Sequence, residues 1–579
     1  MADNSKSSAI KGLDSLYEFE REPVSEKKLL PGKHFAGVYA GEHVAGTEFV
    51  IGAMFVAWGA SAYDIFVGLI IGNLLAVLTW TFVCAPIAVQ TRLTLYWYLR
   101  KIAGPVTTTV YNILNAMLFC VLAGCMITVS ASAVRTVFGT ERYPTSGIPP
   151  QVGWIPTDIR FVIIVILVGA VVVTLAILGF KKLAQFAEVC SPWMFLMFIA
   201  GAVVMLPIIA RQVLGTNLGS FADFWKIANE KIWTGKAPVA EQQLAFWHVA
   251  AFAWICNLAM HAGLSDMALL RYAKRSSYGL YSAFGMFLGH YLAWICAGIM
   301  GAATAIVLST TIDKLDAGGV AWQALGATGI IAVIIAGWTT SNPTLYRAGL
   351  AFQAVTPGWP RWLVTLVAGA VTTIIACSPF VFTRLLDFVG LYGLLLVPVG
   401  AIVFVEHWIF PKIGLTRYWV SKKKLLVSWP ALASWGIAMI AALVLNLTHV
   451  IHLFFLFVPV WLLTSILYII FASMAGAREK FPDEPQEPAD SQRSTESKTV
   501  SEQPKTVQDK YGQDKVLLVC AIVALASLAA CIILPLWTYF AASDIYSKDL
   551  ALFKNLLIWP TIIYFITATI WNIKRSKDQ

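Results

Sequence analysis

Apolar residues run along this chain in long unbroken stretches, such as Phe161 to Leu178 and Leu517 to Leu534, with no alternation of the kind a strand shows. Each stretch approaches the roughly 20 residues that a helix needs to cross a bilayer. Read this way, the pattern predicts fourteen helices, over 47–62, 64–88, 105–134, 161–180, 185–210, 245–268, 279–309, 322–350, 362–380, 385–405, 427–446, 451–475, 516–538 and 553–572. Transmembrane barrels carry a weak two-residue period instead, so this pattern excludes a barrel.

Composition agrees with the pattern. Of 579 residues, 58% are hydrophobic and 13% charged, against roughly 45–50% and 25% in soluble domains. The net charge of +10 would suggest a nucleic-acid partner if it were concentrated in one domain. It falls instead in alternate connections and at both ends, where basic residues mark the cytoplasmic side of a multi-pass protein. This predicts a plasma-membrane protein with both termini in the cytoplasm and no nucleic-acid partner. Arg271 and Arg347 are counted among these loop charges. Residues 1–46 are polar, lack the apolar core of a cleavable signal, and read as a cytoplasmic N-terminal segment.

Residues 477–514 are rich in Pro, Glu, Ser, Gln and Lys and read as a flexible cytoplasmic linker. The linker separates helices eleven and twelve, over 427–475, from a C-terminal hairpin over 516–572. The first ten helices divide into blocks of similar length, 47–210 and 245–405. Five helices per block invert the second block relative to the first, and inverted repeats build a site near the bilayer midplane from paired broken helices. Gly52 and Gly59 interrupt the leading helix of the first block. Asn257, His261 and Gly263 interrupt that of the second.

The nine cysteines all lie in apolar stretches without a close pair, as small buried hydrophobes do. No zinc-protease, nucleophile-elbow or phosphate-loop signature occurs, so the chemistry of an intramembrane enzyme is missing and no catalytic residue is assigned.

Several segments together carry a resemblance to a known family. They are Val50 to Met54 with Asp64 to Asn73, Arg271-Tyr272, Thr339-Thr340-Ser341-Asn342, and Asp387 to Gly390 running on through Val397-Pro398-Val399-Gly400 to Glu406. In order and spacing they resemble the nucleobase/cation symporter family, permeases for cytosine, purines, uracil, allantoin, thiamine and hydantoins. The resemblance spans roughly residues 46–410. It implies an all-α five-plus-five inverted-repeat transporter with two further helices, to which this chain adds its terminal hairpin. It also implies import of a flat nitrogen heterocycle together with a cation, by alternating access. By the resemblance, a sodium ion as coupling ion would lie at Gly337, Thr340 and Ser341 with carbonyls near Ala53 and Val56. Neutral oxygens suit that hard cation. The substrate would lie among Ala57, Trp58, Cys125, Asn257, His261 and Asn342, where asparagine amides match the donor and acceptor edge of a nucleobase. The family's span-three tryptophan is missing, since Leu122 to Met126 stand in that region, so the substrate's identity stays open.

Ionisable groups at membrane depth are candidates for function in their own right. If coupling uses a proton, His261 and Asp266 are the pair the sequence offers. Two other functions fit the same chain: transport of an amino acid, amine or other small solute, or a transport-derived sensor. The hairpin offers a contact for a second copy or a regulator.

Overall fold

The computed structural model describes residues 16–138, 159–237, 243–378, 385–481 and 515–577. Among them no strand forms, and the chain is a succession of helices with only isolated bridges between loops. Ten helices are long and apolar enough to cross a membrane. Numbered in chain order as spans, these include span two (Asp64–Thr91), span three (Leu95–Val134), span four (Ile159–Leu178), span five (Phe180–Leu214) and span seven (Ser276–Val307). Span ten (Leu385–Phe404) follows, then span eleven (Trp429–Leu447), span twelve (Phe457–Ala477), and a hairpin of span thirteen (Lys515–Tyr539) and span fourteen (Tyr546–Leu556 with Ile558–Lys577). The protein is thus a multi-pass membrane protein of all-α class. The flexible stretch expected at 477–514 lies, from residue 482 on, outside the described residues.

Four further helical segments, given the span numbers one, six, eight and nine, are broken, short or polar among the described residues. Span one consists of two helices, Gly32–His43 and Glu48–Ala57, joined through Val44–Thr47. Span six is in three pieces, Phe246–Ile255, Leu258–His261 and Met267–Leu270. Span eight (Ala327–Gln353) is continuous but carries Asn342 and Arg347, and span nine is the short Arg361–Ala376.

Span one corrects the sequence reading twice. It starts at Gly32, not at residue 47, so the N-terminal segment ends well short of 46. Lys33, His34, Glu42 and His43 hide this half-helix in a hydropathy pattern, yet His34, Glu42 and His43 are buried against partners. The break also lies at Val44–Thr47, not at Gly52 or Gly59. Gly52 sits inside an intact helix because a Cβ there would run into the Trp294 carbonyl of span seven, and Gly59, with φ +69°, ends the helix. Close packing of small residues is the role of the first and termination that of the second.

Burial sorts the spans into core and flank. In spans three and seven 72% of the most apolar window is buried, against 28–33% in spans eleven to fourteen. The flanking hairpin docks on span five: Tyr564 donates to the Val189 carbonyl at 2.7 Å, Asn572 to that of Gln185 at 2.9 Å, and Trp193 to Thr561 at 3.1 Å. These bonds are distant in the chain from both helix breaks. Removing residues 477–579 is therefore expected to leave an inserted protein with its central cavity intact. Interhelical hydrogen bonds in membranes contribute about 0.6 kcal/mol each, so the melting temperature of the detergent-solubilised protein should fall by roughly 5 °C. Aggregation of the truncated chain at all temperatures would show that the hairpin is part of the core.

Candidate functional site

Two helix breaks face each other across one cavity. At the first, the His43 ring folds back and its Nδ1 hydrogen bonds with the Tyr39 carbonyl at 2.8 Å, and the chain leaves the helix at Val44. The Thr47 carbonyl then accepts from Val50 and Ile51 at 2.9 Å and restarts the helix. Gly46 lets this turn lie against the Val333 carbonyl of span eight and Val129 of span three. At the second break, Asn257 leaves the helical region at φ −115° and ψ 32°. After His261 a turn carries Leu264 at φ +63°, closed by the bonds Ser265 N to Ala259 O and Asp266 N to Met260 O. The cavity between the breaks has a volume of about 50 Å³, with Glu42, Glu48, Asn257, His290, Thr340 and Tyr392 among its lining. That holds a few waters, and is several times smaller than the 300–1,000 Å³ of ligand pockets in general.

Charge is concentrated beside the cavity. Arg347 of span eight is fully buried and donates from Nη1 to Glu42 at 2.6 Å, from Nη2 to Glu42 at 3.0 Å, and from Nε to Asp266 at 3.0 Å. Nη2 also reaches Asp266. Asp266 accepts in addition from Trp80 at 2.6 Å and Tyr39 at 3.1 Å. One guanidinium thus ties the end of the first half of span one to the far side of the span-six break, in the forked geometry that suits two carboxylates.

A second layer lies beyond it. Arg271 donates to the Phe19 carbonyl at 2.6 Å and to the Tyr272 and Tyr346 hydroxyls at 3.2 Å, and both tyrosines donate to Glu18. Arg21 bonds the Gln353 and Thr356 carbonyls at 2.8 Å. The N-terminal segment is thereby stapled to spans six and eight. Arg271 and Arg347 are therefore interior groups, not loop charges as the sequence suggested.

The sequence-predicted residues are dispersed by the structure. Asn257 and Thr340 line the cavity. The Thr340 hydroxyl lies 2.8 Å from the Glu42 carbonyl and 2.9 Å from that of Ala336. Ser341, one residue on, turns to the Ala123 carbonyl of span three at 3.4 Å, and Gly337 packs on Ser130 of the same span. Ala53 and Val56 lie in the intact second half of span one, where Gly59 bonds the Val56 carbonyl at 3.1 Å, so neither is at the break. Ala57 packs with Ala53 and Ile312, and Trp58 edges onto Phe55 and Phe252. Cys125 is buried beside Leu122 and Met126, which are the residues of that stretch that reach the cavity. Asn342 is fully buried with neither amide atom hydrogen bonded. His261 bonds the Trp254 carbonyl and stands 4.8 Å from the Trp80 ring, so Trp80 lies between it and Asp266.

Glu42, His43 and Glu48 escape a reading of the sequence because they fall before or at the start of the span it draws. The signal that would have found them is the small-residue series Gly37, Gly41, Gly46 and Gly52, which continues helix packing upstream of residue 47.

No protein-family model and no curated protein matches the chain. Among solved structures, the fold is similar to that of Mhp1, a nucleobase-cation-symport-1 family transporter in a closed conformation with bromovinylhydantoin bound. Identity is 15% and the TM-score 0.58, over 80% of this chain and 96% of that one. It is also similar to a Na+-coupled sialic acid symporter in a substrate-bound outward-open state, at 13% identity and TM-score 0.56, over 82% and 97% of the two chains. The five-plus-five fold implied by the family resemblance is the one found.

The Arg347 cluster makes a direct prediction. Breaking a buried ion pair by removing one partner costs about 3–5 kcal/mol, whereas replacing the whole group with neutral residues of similar shape is tolerated. Arg347→Gln should abolish a monodisperse peak in size-exclusion chromatography. The triple variant Arg347→Met, Glu42→Gln, Asp266→Asn should recover it.

Proposed function

We propose that this protein is a secondary active transporter that imports a small, flat, nitrogen-containing heterocycle with a cation, by alternating access at the plasma membrane, both termini being cytoplasmic. The observation that carries the reading is the opposition of two helix breaks, at Val44–Thr47 and at Cys256–Asp266, across one cavity whose lining includes Glu42, Glu48, Asn257, His290 and Thr340. Broken helices at membrane depth are tolerated where backbone and ligand satisfy one another. The likeness in fold to a hydantoin-binding and a sialic acid transporter supports transport as the class. The narrow, 50 Å³ cavity suits one state of such a cycle, since it is too small for a heterocycle until the two halves separate.

Spans one and seven approach backbone to backbone, with Gly285 against the Tyr39 carbonyl, Gly289 against that of His43 and Gly52 against that of Trp294, as do spans two and six at Gly72 and Ala250. Such contacts favour movement as one body. The ionic layers at Arg347 and Arg271 are what that body must part from span eight to open toward the N-terminal side.

For sodium, the hydroxyl of Thr340 and the Glu42 carbonyl face each other at the first break, and Thr339 shares with Thr340 the Ala336 carbonyl, at 3.1 and 2.9 Å. This set of neutral oxygens suits sodium, and takes the place of the Gly337, Ser341, Ala53 and Val56 set that the family resemblance implied. Asn257 is the recognition residue for the heterocycle, since it lines the cavity.

If sodium couples here, the melting temperature should be higher in sodium than in potassium. Thr340→Ala should weaken the apparent sodium affinity roughly tenfold, about 1.4 kcal/mol, and Ser341→Ala should leave it unchanged. Equal loss in both variants would return the ion to the face toward span three. For the substrate, a panel of labelled heterocycles, amino acids and amines should be screened for uptake into proteoliposomes. A heterocycle should accumulate, and Asn257→Ala should lower its affinity about tenfold or more. Binding without accumulation would make the protein a sensor, and accumulation of amino acids alone would change the cargo.

A further inference from the structure

We propose that Glu48 and His290 form a proton-binding pair at the break of span one, and that this pair is where a proton gradient couples to the cycle. The proposal rests on the transport reading above and assigns the coupling proton to residues other than His261 and Asp266.

The geometry is compact. Glu48 is the first residue of the second half of span one. One carboxylate oxygen accepts from the Trp294 indole, and the other lies 3.9 Å from His290 Nε2. His290 and Trp294 stand one turn apart on span seven with their rings stacked at 4.3 Å and 12°. That stack fixes the imidazole and the indole together against the same carboxylate. Asn257 Nδ2 lies 3.4 Å from His290 Nε2, and His290 Nδ1 has no hydrogen-bond partner among the described residues. Both side chains are almost completely buried, at 4% and 3% exposure, yet both line the cavity, which gives a proton a way in.

The surrounding charges leave this carboxylate unmatched. Glu42 and His43 of span one, Cys256 of span six and Tyr392 of span ten line the same cavity. Glu42 is paired with Arg347, which also holds Asp266, so that cation is already matched. A carboxylate buried without a cation is costly. With one proton, on Glu48 Oε1 or on His290 Nε2, the pair is neutral overall. With none it carries one negative charge. Closing the cavity therefore favours the protonated pair, and opening it to water lets the proton leave. One proton enters and one leaves per cycle, with no other group changed.

The same arrangement argues against His261 and Asp266. Neither His261 nor Asp266 is among the residues that line the cavity, and Asp266 is held by Arg347, Trp80 and Tyr39.

Proton binding can be read without knowing the cargo. Reconstituted full-length protein is titrated with acid while the infrared carboxylic-acid band is followed. A component of the band that grows on acidification in the wild type should be missing in Glu48→Gln, read as the wild-type-minus-variant difference over the carboxyl groups common to both. In His290→Gln it should remain, with its midpoint displaced by about one pH unit or more. Glu406→Gln, which alters a buried carboxylate held by Tyr468 and the Tyr418 amide far along the chain, should leave that component in place. Persistence of that component in Glu48→Gln, or an unmoved midpoint in His290→Gln, would overturn the assignment. If Glu48→Gln does not give a folded protein, His290→Gln decides alone. A transporter driven by sodium only would fail this titration and keep its sodium-dependent uptake, so loss of the pair and loss of the transport reading are separate outcomes.

Discussion

The interior of this protein is organised by a single buried guanidinium. Arg347 reaches two carboxylates that belong to two different broken helices, Glu42 just before the gap in span one and Asp266 just after the gap in span six. A helix interrupted within a membrane exposes backbone groups that need partners, and its two halves need something to fix their relative position. Arg347 supplies that position from span eight, which is itself continuous. The cost of burying three charges is offset only because the geometry is forked and Asp266 gains Trp80 and Tyr39 as additional donors. Such a group is stable while complete and very unstable when divided, which is the property required of a gate with two discrete states.

Backbone contact without intervening side chains defines the other joints. Gly289 brings span seven onto the His43 carbonyl, Gly72 brings span two onto Ala250, and Gly400 brings span ten onto Ala262 at the turn of span six. A side chain at any of these positions would drive the helices apart at the depth of the cavity. The polar cluster of Glu48, His290 and Asn257 is placed by these same contacts, because span one and span seven meet there along His43, Gly52 and Trp294.

How much of this was legible in the sequence follows from what hydropathy measures. Long helices whose one face meets lipid, such as spans four, eleven and thirteen, announce themselves, and so did the interruption at Asn257. A helix that meets only protein can carry charge wherever a partner waits, and Gly32–His43 does so with His34 against Glu188 and Glu42 against Arg347. Its polarity looked like that of a loop. Arg271 and Arg347 were misread for the same reason, since a basic residue near a span end satisfies the charge rule whether it faces water or a buried carboxylate. The hydroxyl run on span eight was legible as chemistry but not as a face. Successive residues differ by about 100° around a helix, so Thr340 meets the break while Ser341 meets span three. Only the neighbours decide which one counts.

The C-terminal hairpin acquires a physical connection to the gate from its position on span five. Pro192 removes the backbone donor that the Glu188 carbonyl would otherwise receive, so span five is weakened around residues 188–192, as it is again at Pro207. On one side of this segment lies the first half of span one, with Ser191 donating to the Gly37 carbonyl at 3.0 Å, Gly41 against Ala187, and Glu188 in contact with His34. On the other side lies the hairpin, bonded at Gln185, Val189 and Trp193, which bracket the proline. Any bending of span five that accompanies movement of span one must therefore work against those three bonds. Among the described residues the hairpin contributes none to the cavity lining, and its connection to the first half of span one runs through span five.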